Sequence, residues 1–378
     1  MAQIVKKTAF NTTKTVEEYS QKKLFGVGEA PLLDTIHKHY PKISKLYDEL
    51  CSLKWKETEI SFSQCLVDFE QAPSDASEAM IKTLAWQWHN DSIAAQLPVY
   101  IIAPFEPSSE VIAQETEVQS NEFTHGLTYS EIVRMSFKDP QKAMADILAH
   151  QEVYERSGII GEVLAQIQAF SIEYAYHKLK GLELPSDKEI KKHLILFYFI
   201  MLCLERIKFM ASFAITFTIV KSGYFIPIGS AVMKICQDEL ENHSEYRKEV
   251  LKELMADDLG KEVFEELKPT LATIVETVID QDMDWTNNYI FENGNKNLVG
   301  TNADLVCQFV LFCAKDVVNT YKLDTKYKFP KANPMPHLES FMDLSKVQMA
   351  PQEQDIVSYV TNVVTITDND KVFNYNFN

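Results

Sequence analysis

The sequence predicts an all-α protein, and three observations support this fold class. Several segments carry apolar residues at the spacing of a helix face, and most of them are longer than twenty residues. Only 11 of the 378 residues are glycine, whereas barrels, propellers and dinucleotide-binding folds use more glycine in their turns. Signals for β-strands are few. The helical segments are 75–96, 109–136, 142–180, 187–221, 230–255 and 269–291.

Composition along the chain predicts an arm, a helical body and a tail. Residues 1–30 are polar and weakly patterned, which is typical of an arm. The body, 31–345, contains the helical segments and closes at the sequence NPMP (333–336). The tail, 346–378, mixes small, acidic and amide residues yet keeps aromatic side chains. These aromatic residues favour a docking peptide, with an ordinary solvated chain end as the alternative. Short helix breakers inside the body lie at 138–140, 181–185 and 222–227.

Charge and cysteine content limit the function classes. The formal net charge is −17, and an acidic surface repels a phosphate backbone, so nucleic-acid binding is not expected. The six cysteines form no CxxC pair, which predicts reduced thiols in a cytoplasmic protein. The start of the chain has no apolar core typical of a secretory signal.

The most apolar stretch of the chain is too interrupted to cross a membrane. It runs over 194–220 and is broken by Glu205, Arg206 and Lys208. The two remaining apolar pieces are far shorter than the ~20 residues that a membrane-spanning helix requires. We therefore expect no membrane association.

Carboxylates and histidines at helical spacing indicate a metal site inside the bundle. Glu122 and His125 are three residues apart, and Glu239 and His243 are four apart, so each pair shares one helix face. Glu205 follows an eleven-residue apolar run, 194–204. A buried carboxylate must be neutral, paired or bound to a metal. Asp91 interrupts another amphipathic helix and would mean little alone.

Each of these signals has a simpler alternative. Glu122-x-x-His125 arises often by chance, Glu205 could pair with Arg206 or Lys208, and Glu239 could lie at a solvated acidic helix end. Other pairs share the spacing. Glu173–His177 and Glu189–His193 are interpreted as surface pairs, and Asp146–His150 stays open.

Together the candidate ligands suit two divalent ions. Their four carboxylates carry a charge of −4, which two divalent cations balance. Oxygen-rich ligation with one imidazole per ion favours iron or manganese over structural zinc. The candidate set is Asp91, Glu122, His125, Glu205, Glu239 and His243.

The order of motifs resembles the small, radical-generating subunit of class I ribonucleotide reductase. The resemblance covers nearly the whole chain, and it implies a ferritin-like helical bundle with a buried dinuclear metal site. No single motif is decisive, but their order and spacing together are specific. The motifs are LAWQWHNDSI (84–93), EFTHGLTY (122–129), LERIKFMASF (204–213), QDE (237–239), NPMP (333–336), VQMAPQE (347–353) and SY (358–359).

The resemblance implies a cofactor and a radical site. Two iron ions per chain in a diiron-oxo centre would react with O₂, with manganese as the alternative metal. Tyr129 corresponds to the family's radical tyrosine, and Phe209, Phe213 and Ile235 correspond to the apolar pocket that shields the radical. Without the resemblance, a core tyrosine satisfied by one hydrogen bond would be the preferred interpretation of Tyr129.

The resemblance also implies a route for the radical and a partner. Trp55, Asp238 and His125 would link the metal site towards the surface, and Tyr359 on the tail, assisted by Glu353, would relay the radical. The receiver would be the large catalytic subunit, which the end of the tail would dock. A homodimer of the small subunit is expected from the family.

One departure from the family pattern concerns the last ligand. The family usually ends with a second Glu-x-x-His, but here Asn242 stands three residues after Glu239 and the histidine is His243. A one-residue π-bulge would return His243 to the site, and ideal helix spacing would nearly suffice. Asn242 or a water is the alternative ligand.

The resulting functional hypothesis is a ribonucleoside-diphosphate reductase subunit. It would generate a tyrosyl radical and pass it on for the reduction of ribonucleotides to deoxyribonucleotides. The main alternative is a stand-alone carboxylate di-metal oxidase of similar fold. An iron-storage protein or a purely structural bundle would have no use for Trp55, the tail or Glu205 inside an apolar helix.

Overall fold

The computed structural model describes residues 14–28 and 32–342, and this part of the chain is built from helices. Sixteen are α-helices. In chain order they are α1 (Val16–Tyr19), α2 (Pro41–Ser52), α3 (Ser63–Gln71), α4 (Ser74–Ala94), α5 (Pro98–Ile102), α6 (Ser109–Ser136), α7 (Pro140–Leu148), α8 (Gln151–Arg156), α9 (Gly158–Lys180), α10 (Asp187–Cys203), α11 (Phe209–Lys221), α12 (Ile226–Gln237), α13 (Ser244–Leu254), α14 (Asp258–Asp284), α15 (Ala303–Tyr321) and α16 (Glu339–Met342).

Three π-helical turns and four 3₁₀ turns connect or extend these helices. The described residues contain no β-strand, only an isolated bridge between Leu298 and Thr301. The all-α prediction is therefore confirmed. The π turns are Leu204–Lys208, Asp238–His243 and Trp285–Ile290, and the 3₁₀ turns are Glu57–Glu59, Ala103–Phe105, Glu292–Gly294 and Pro336–Leu338.

Side-chain caps explain where several helices begin. Ser108 accepts a hydrogen bond from the Val111 amide at the start of α6, and Ser186 forms a capping box with Glu189 at the start of α10. The break predicted at 181–185 lies between Gly181, which ends α9 with a φ of 67°, and Ser186. A left-handed residue after a helix is favourable for glycine because it has no Cβ.

The centre of the molecule is a bundle of four helical rods. These are α4, α6, the continuous α10–α11 rod and the continuous α12–α13 rod; α4 packs along both α6 and α11, and α10 packs on α13. Nearly every residue from Leu194 to Ile219 is buried. A helix that is apolar all round is stable only in the middle of a fold, which is why α10–α11 lies at the centre.

Two predicted helices differ from the observed ones. The segment 142–180 is divided into α7, α8 and α9, with breaks around His150 and Ser157. At the second break, the Ser157 hydroxyl accepts from Trp86 Nε1 and donates to Asn90 on α4. The last predicted helix begins earlier, at Asp258, because the Asp257 side chain caps it through the Gly260 amide.

Membrane-spanning segments and cysteine pairing are two further points addressed by the sequence. No helix in the described ranges is both long and apolar enough to span a bilayer. All six cysteines are free, and five of them are buried. The predicted tail, with Glu353 and Tyr359, lies outside the described residues, as do residues 1–13 of the predicted arm.

Candidate metal centre

Four helical rods bring the six candidate ligands together in the core. Asp91 comes from α4, Glu122 and His125 from α6, Glu205 from the first π turn, and Glu239 and His243 from the second. None of the six side chains is exposed to solvent. They form two overlapping groups, Glu122–Glu205–Glu239–His243 and Asp91–Glu122–His125, whose ligand atoms lie within 4.8 Å of one another. Glu122 belongs to both groups.

Both histidines direct Nδ1 into the carboxylates. His125 Nδ1 lies 3.2 Å from Glu122 Oε2 and 3.3 Å from Glu239 Oε1. His243 Nδ1 lies 3.3 Å from Glu239 Oε2 and 3.4 Å from Glu122 Oε1. The two imidazoles, one from each ligand group, therefore flank the same pair of glutamates, Glu122 and Glu239.

The π turn Asp238–His243 decides which side chain faces the site. Its wider winding places His243 among the carboxylates although it lies four residues after Glu239. Asn242 points elsewhere: its Oδ1 accepts from Gln114 Nε2 at 2.7 Å, and its Nδ2 donates to the Leu46 carbonyl at 2.8 Å. The structure thus places His243, not Asn242, in the cluster.

Glu205 is not paired with its neighbours in sequence. Arg206 contacts Asp316, and the Lys208 ammonium lies 3.3 Å from Asp282. The suggested salt bridge of Glu205 with Arg206 or Lys208 is therefore wrong. The π turn Leu204–Lys208 directs those two side chains away, and the cation that reaches Glu205 Oε1 is Arg247, whose Nε donates at 3.0 Å.

Burial and neighbouring charges shift the pKa values of the clustered carboxylates in different directions. Burial, reinforced by Glu122, raises the pKa of Asp91 well above its usual value. Burial also raises the pKa of Glu205 to about 8, against the opposing charge of Arg247. Burial alone would raise the pKa of Glu122, but hydrogen bonds with His125 and His243 lower it to about 2. A cluster of this charge needs bound cations or protons to be stable in the core.

The donor set fits a pair of divalent metal ions. Oε2 of Glu205 is buried without a hydrogen-bond partner, an arrangement that is costly unless something else binds this oxygen. Carboxylate oxygens with one imidazole for each group match the preferences of iron and manganese. The cluster can hold two such ions, with Glu122 available to both.

Tyr129 lies one turn after His125 on α6 and is almost fully buried. Its hydroxyl interacts with the buried carboxylate of Asp91, which is one of the candidate ligands. Burial, with the nearby charge of Asp91, raises its pKa well above the usual value. The predicted pocket residues Phe209, Phe213 and Ile235 are buried as well.

A hydrogen-bonded path leads from the cluster to Trp55. Asp238 Oδ2 lies 3.2 Å from His125 Nε2 and accepts from Trp55 Nε1 at 2.9 Å. The indole ring stacks on the His125 imidazole with 5.9 Å between ring centroids. Because a carboxylate behind a histidine fixes the tautomer and orientation of the ring, Asp238 leaves Nδ1 of His125 available to a metal ion.

The other histidine–acid pairs lie away from this cluster. His177 is 3.8 Å from Glu173 at the surface. Glu189 caps α10, and the His193 ring binds the backbone carbonyl of Glu189. The pair left open, Asp146–His150, is not a ligand pair here, since His150 Nδ1 is 2.7 Å from the Tyr289 hydroxyl.

Sequence reasoning missed two charged residues beside the cluster, Glu115 and Arg247. Both are fully buried, and Arg247 contacts Glu205 and Glu115. The available signal was the spacing of Arg247, which follows His243 by four residues on a helix whose next apolar residues are Val250 and Leu251. An arginine on the apolar face of a helix implies a buried acid.

Comparisons with known proteins identify the family that the chain resembles. The family model described as "Ribonucleotide reductase, small chain" matches residues 34–334. The chain is 24% identical over 348 residues to ribonucleoside-diphosphate reductase 1 subunit beta of Escherichia coli O157:H7, covering 89% of this chain and 91% of that one. It is 23% identical over 383 residues to the subunit beta of Enterobacteria phage T4, covering 97% of each.

Solved structures share the fold. A putative class I ribonucleotide reductase from Bacillus halodurans superposes with a TM-score of 0.66 at 19% identity, covering 80% of this chain and 100% of that one. The dimanganese(II)-NrdF protein of Streptococcus sanguinis superposes with a TM-score of 0.62 at 14% identity, covering 83% and 99%. The ferritin-like bundle expected from the sequence is confirmed.

Proposed function

The chain belongs to the ribonucleotide reductase small-chain family, as a class I small subunit, and on that premise we propose that it holds two iron ions and generates a radical on Tyr129. The observation that carries the proposal is the pair of overlapping ligand groups sharing Glu122 in a fully buried core. An enzyme of this family is an oxidoreductase that works with a large catalytic subunit.

The proposed ligands divide between two positions. Asp91 and His125 would hold one ion, Glu205 and His243 the other, and Glu122 and Glu239 lie close to both histidines. When bound, the metal pair would supply, through the reduction of O₂, the oxidising power that removes one electron from a tyrosine. We favour iron because Tyr129 is present, while the same ligands suit manganese, the metal of the Streptococcus sanguinis protein.

Tyr129 must lose a proton together with its electron. An ordinary phenol has a pKa near ~10, and burial with Asp91 nearby raises the pKa of Tyr129 further. The Tyr129 hydroxyl therefore remains protonated until oxidation. The burial of Phe209, Phe213 and Ile235 supports their role in excluding water and reductants from the radical.

Trp55 is the proposed exit for the radical. Oxidation of the indole makes its Nε1 proton more acidic. That proton is already hydrogen-bonded to Asp238 Oδ2, which can accept it. His125 on the other side of Asp238 connects this pair to the metal ligands. The onward relay through Tyr359, with Glu353, and the docking of the tail on the large subunit are proposed from the family resemblance, as are the homodimer and the cytoplasmic location.

The test is reconstitution of activity from separate parts. The full chain is loaded with Fe(II) in the presence of O₂, or with Mn(II), and mixed with the large subunit of the same organism. We expect about two metal ions per chain and deoxyribonucleotide formation only when both subunits are present. Glu122→Gln, which weakens both ligand groups, should abolish both readouts. Substrate oxidation by the chain alone would instead favour the stand-alone oxidase.

A further inference from the structure

We infer that Arg247 is a positioning residue that restricts Glu205 to binding metal through a single oxygen, and that Glu115 holds Arg247 in place. The inference rests on the proposed function, since Glu205 matters here as a metal ligand. It concerns residues that have no counterpart in the motifs from which the function was derived.

The two carboxylate oxygens of Glu205 have different surroundings. Oε1 accepts a hydrogen bond from Arg247 Nε at 3.0 Å, whereas Oε2 has no hydrogen-bond partner in the described structure. Glu205 belongs to the ligand group with Glu122, Glu239 and His243. One oxygen is therefore committed to the guanidinium and the other is available to a cation.

Glu115 fixes the other end of the guanidinium. Arg247 Nη1 lies 2.5 Å from Glu115 Oε2, and all three side chains are fully buried. The planar fork of arginine can hold two carboxylates in a defined orientation, which a lysine ammonium cannot do. The three residues come from α6, the first π turn and α13, so they also link three of the four rods.

Two tyrosines complete the environment of the guanidinium. The Arg247 Cζ lies 5.0 Å from the ring centroid of Tyr246 and 5.8 Å from that of Tyr198. The two hydroxyls are 3.4 Å apart. With large buried rings beside it, Arg247 has little freedom to turn, and Glu205 cannot rotate to present both oxygens without breaking the 3.0 Å hydrogen bond.

The charge of Glu115 explains how a buried arginine is tolerated beside cations. Arg247 alone would oppose the binding of divalent ions. Paired with Glu115, it forms a neutral unit, so the four ligand carboxylates keep the −4 charge that two divalent ions require. The arrangement orients a ligand without reducing the negative charge of the site.

Manganese binding to the full chain tests the inference without relying on activity. Mn(II) is titrated into the metal-free protein, free Mn(II) is followed by electron paramagnetic resonance, and the spectrum of the bound pair is recorded at saturation. In Arg247→Gln we expect the weaker of the two binding steps to lose ~10–100-fold in affinity, the usual effect of removing a residue that orients a metal ligand. The spectrum of the bound pair should also change, because Glu205 is no longer fixed.

Two further variants separate positioning from stability. Arg247→Lys keeps the charge but not the fork, so its second-step affinity should fall between those of the parent and Arg247→Gln. Lys82→Gln is the control, because Lys82 is also a buried cation and its ion-pair partners, Glu78 and Glu292, are not candidate ligands. It should bind manganese with the parent's affinity and spectrum, whatever its stability.

The outcomes are distinct. Parent-like binding in Arg247→Gln and Arg247→Lys would overturn the inference and leave the proposed function intact. An equal loss of affinity in Lys82→Gln would also overturn it, since general destabilisation would then explain the effect. If Arg247→Gln fails to fold, the lysine variant decides alone. A parent that does not bind two ions would contradict the proposed function itself.

Discussion

Asp238 gathers several hydrogen bonds on one oxygen. Its Oδ2 accepts from Trp55 Nε1 at 2.9 Å and Asn121 Nδ2 at 3.1 Å, and it lies 3.2 Å from His125 Nε2. Burial alone would raise the pKa of Asp238, but the hydrogen bond with His125 lowers it. An ionised Asp238 can orient both rings and accept a proton from the indole.

Replacing Trp55 should separate radical formation from radical use. In Trp55→Phe the ring still packs near His125, but the indole N–H that donates to Asp238 is lost. We expect metal binding and the Tyr129 signal to persist, while deoxyribonucleotide formation with the large subunit falls at least ~100-fold, as for loss of a proton-transfer partner. Parallel assays of the radical and of turnover check this.

Trp88→Phe is the control for that experiment. Trp88 is half-buried on α4 and has no contact with Asp238 among the hydrogen bonds of the described structure. Turnover should stay close to that of the parent. Parent-like turnover in Trp55→Phe would rule out Trp55 as the exit.

At the scale of helices, the π turns determine the site. Two of the three π turns carry proposed ligands, Glu205 in one and Glu239 with His243 in the other. A π turn adds one residue without ending the helix and is frequent at functional sites. The one-residue offset of His243 was visible in the sequence, but the turn around Glu205 was not.

Moving the histidine by one position tests the π turn directly. His243→Asn should weaken the binding of one metal ion by more than the ~10–100-fold typical of losing an outer partner. The double variant Asn242→His, His243→Asn should not recover it, because position 242 faces Gln114 and Leu46. Metal content per folded chain measures both; recovery in the double variant would contradict the placement of His243.

A surface contact of α4 gives a pH-dependent prediction. Glu78 contacts Lys82 and Lys296, each at 2.7 Å, and hydrogen bonds from Lys296 and Lys82 lower its pKa from 4.5 to about 2. A lowered pKa means that the ionised form stabilises the fold above pH 4.5, and that this stabilisation is lost as the pH falls towards 2.

Glu78→Gln should therefore lower the free energy of unfolding at neutral pH by about 0.5–1 kcal/mol, a modest value because the pair is partly exposed. The difference from the parent should shrink as the pH falls below about 4.5, which urea unfolding at several pH values measures. Glu70→Gln removes a more exposed pair with Lys138 and should have a smaller effect. A constant difference at all pH values would contradict the assignment.

Local spacing explains which parts of the site could be predicted from the sequence. Glu122 with His125, and Glu205 within an apolar run, need only the geometry of one helix. Arg247 and Glu115 could not be assigned, because their partner is fixed by the packing of α13 and α6 around the first π turn. The same holds for Lys208, whose partner Asp282 lies on α14.

At the scale of the whole molecule, we expect the described bundle and the tail to have separate tasks. The bundle contains all the proposed ligands, Tyr129 and Trp55, whereas the proposed relay residues Glu353 and Tyr359 lie in the tail. If this division is correct, the tail contributes to partner binding and not to the metal site.

Removal of residues 346–378 should thus leave metal binding and the radical unchanged. Binding to the large subunit should be lost, and with it deoxyribonucleotide formation. Surface plasmon resonance with immobilised large subunit measures the first effect, and Tyr359→Phe in the full chain provides the control. That variant should still bind the large subunit but should not support turnover. Undiminished binding by the shortened chain would place the docking surface on the bundle.

The central claim is that this buried cluster oxidises Tyr129. The most direct measurement is low-temperature electron paramagnetic resonance of the metal-free chain after loading with Fe(II) and exposure to O₂, beside Tyr129→Phe treated in the same way. We predict a tyrosyl signal in the parent and none in Tyr129→Phe, with equal iron content in both. An iron-loaded parent without a tyrosyl signal, or the same signal in both proteins, would contradict the account.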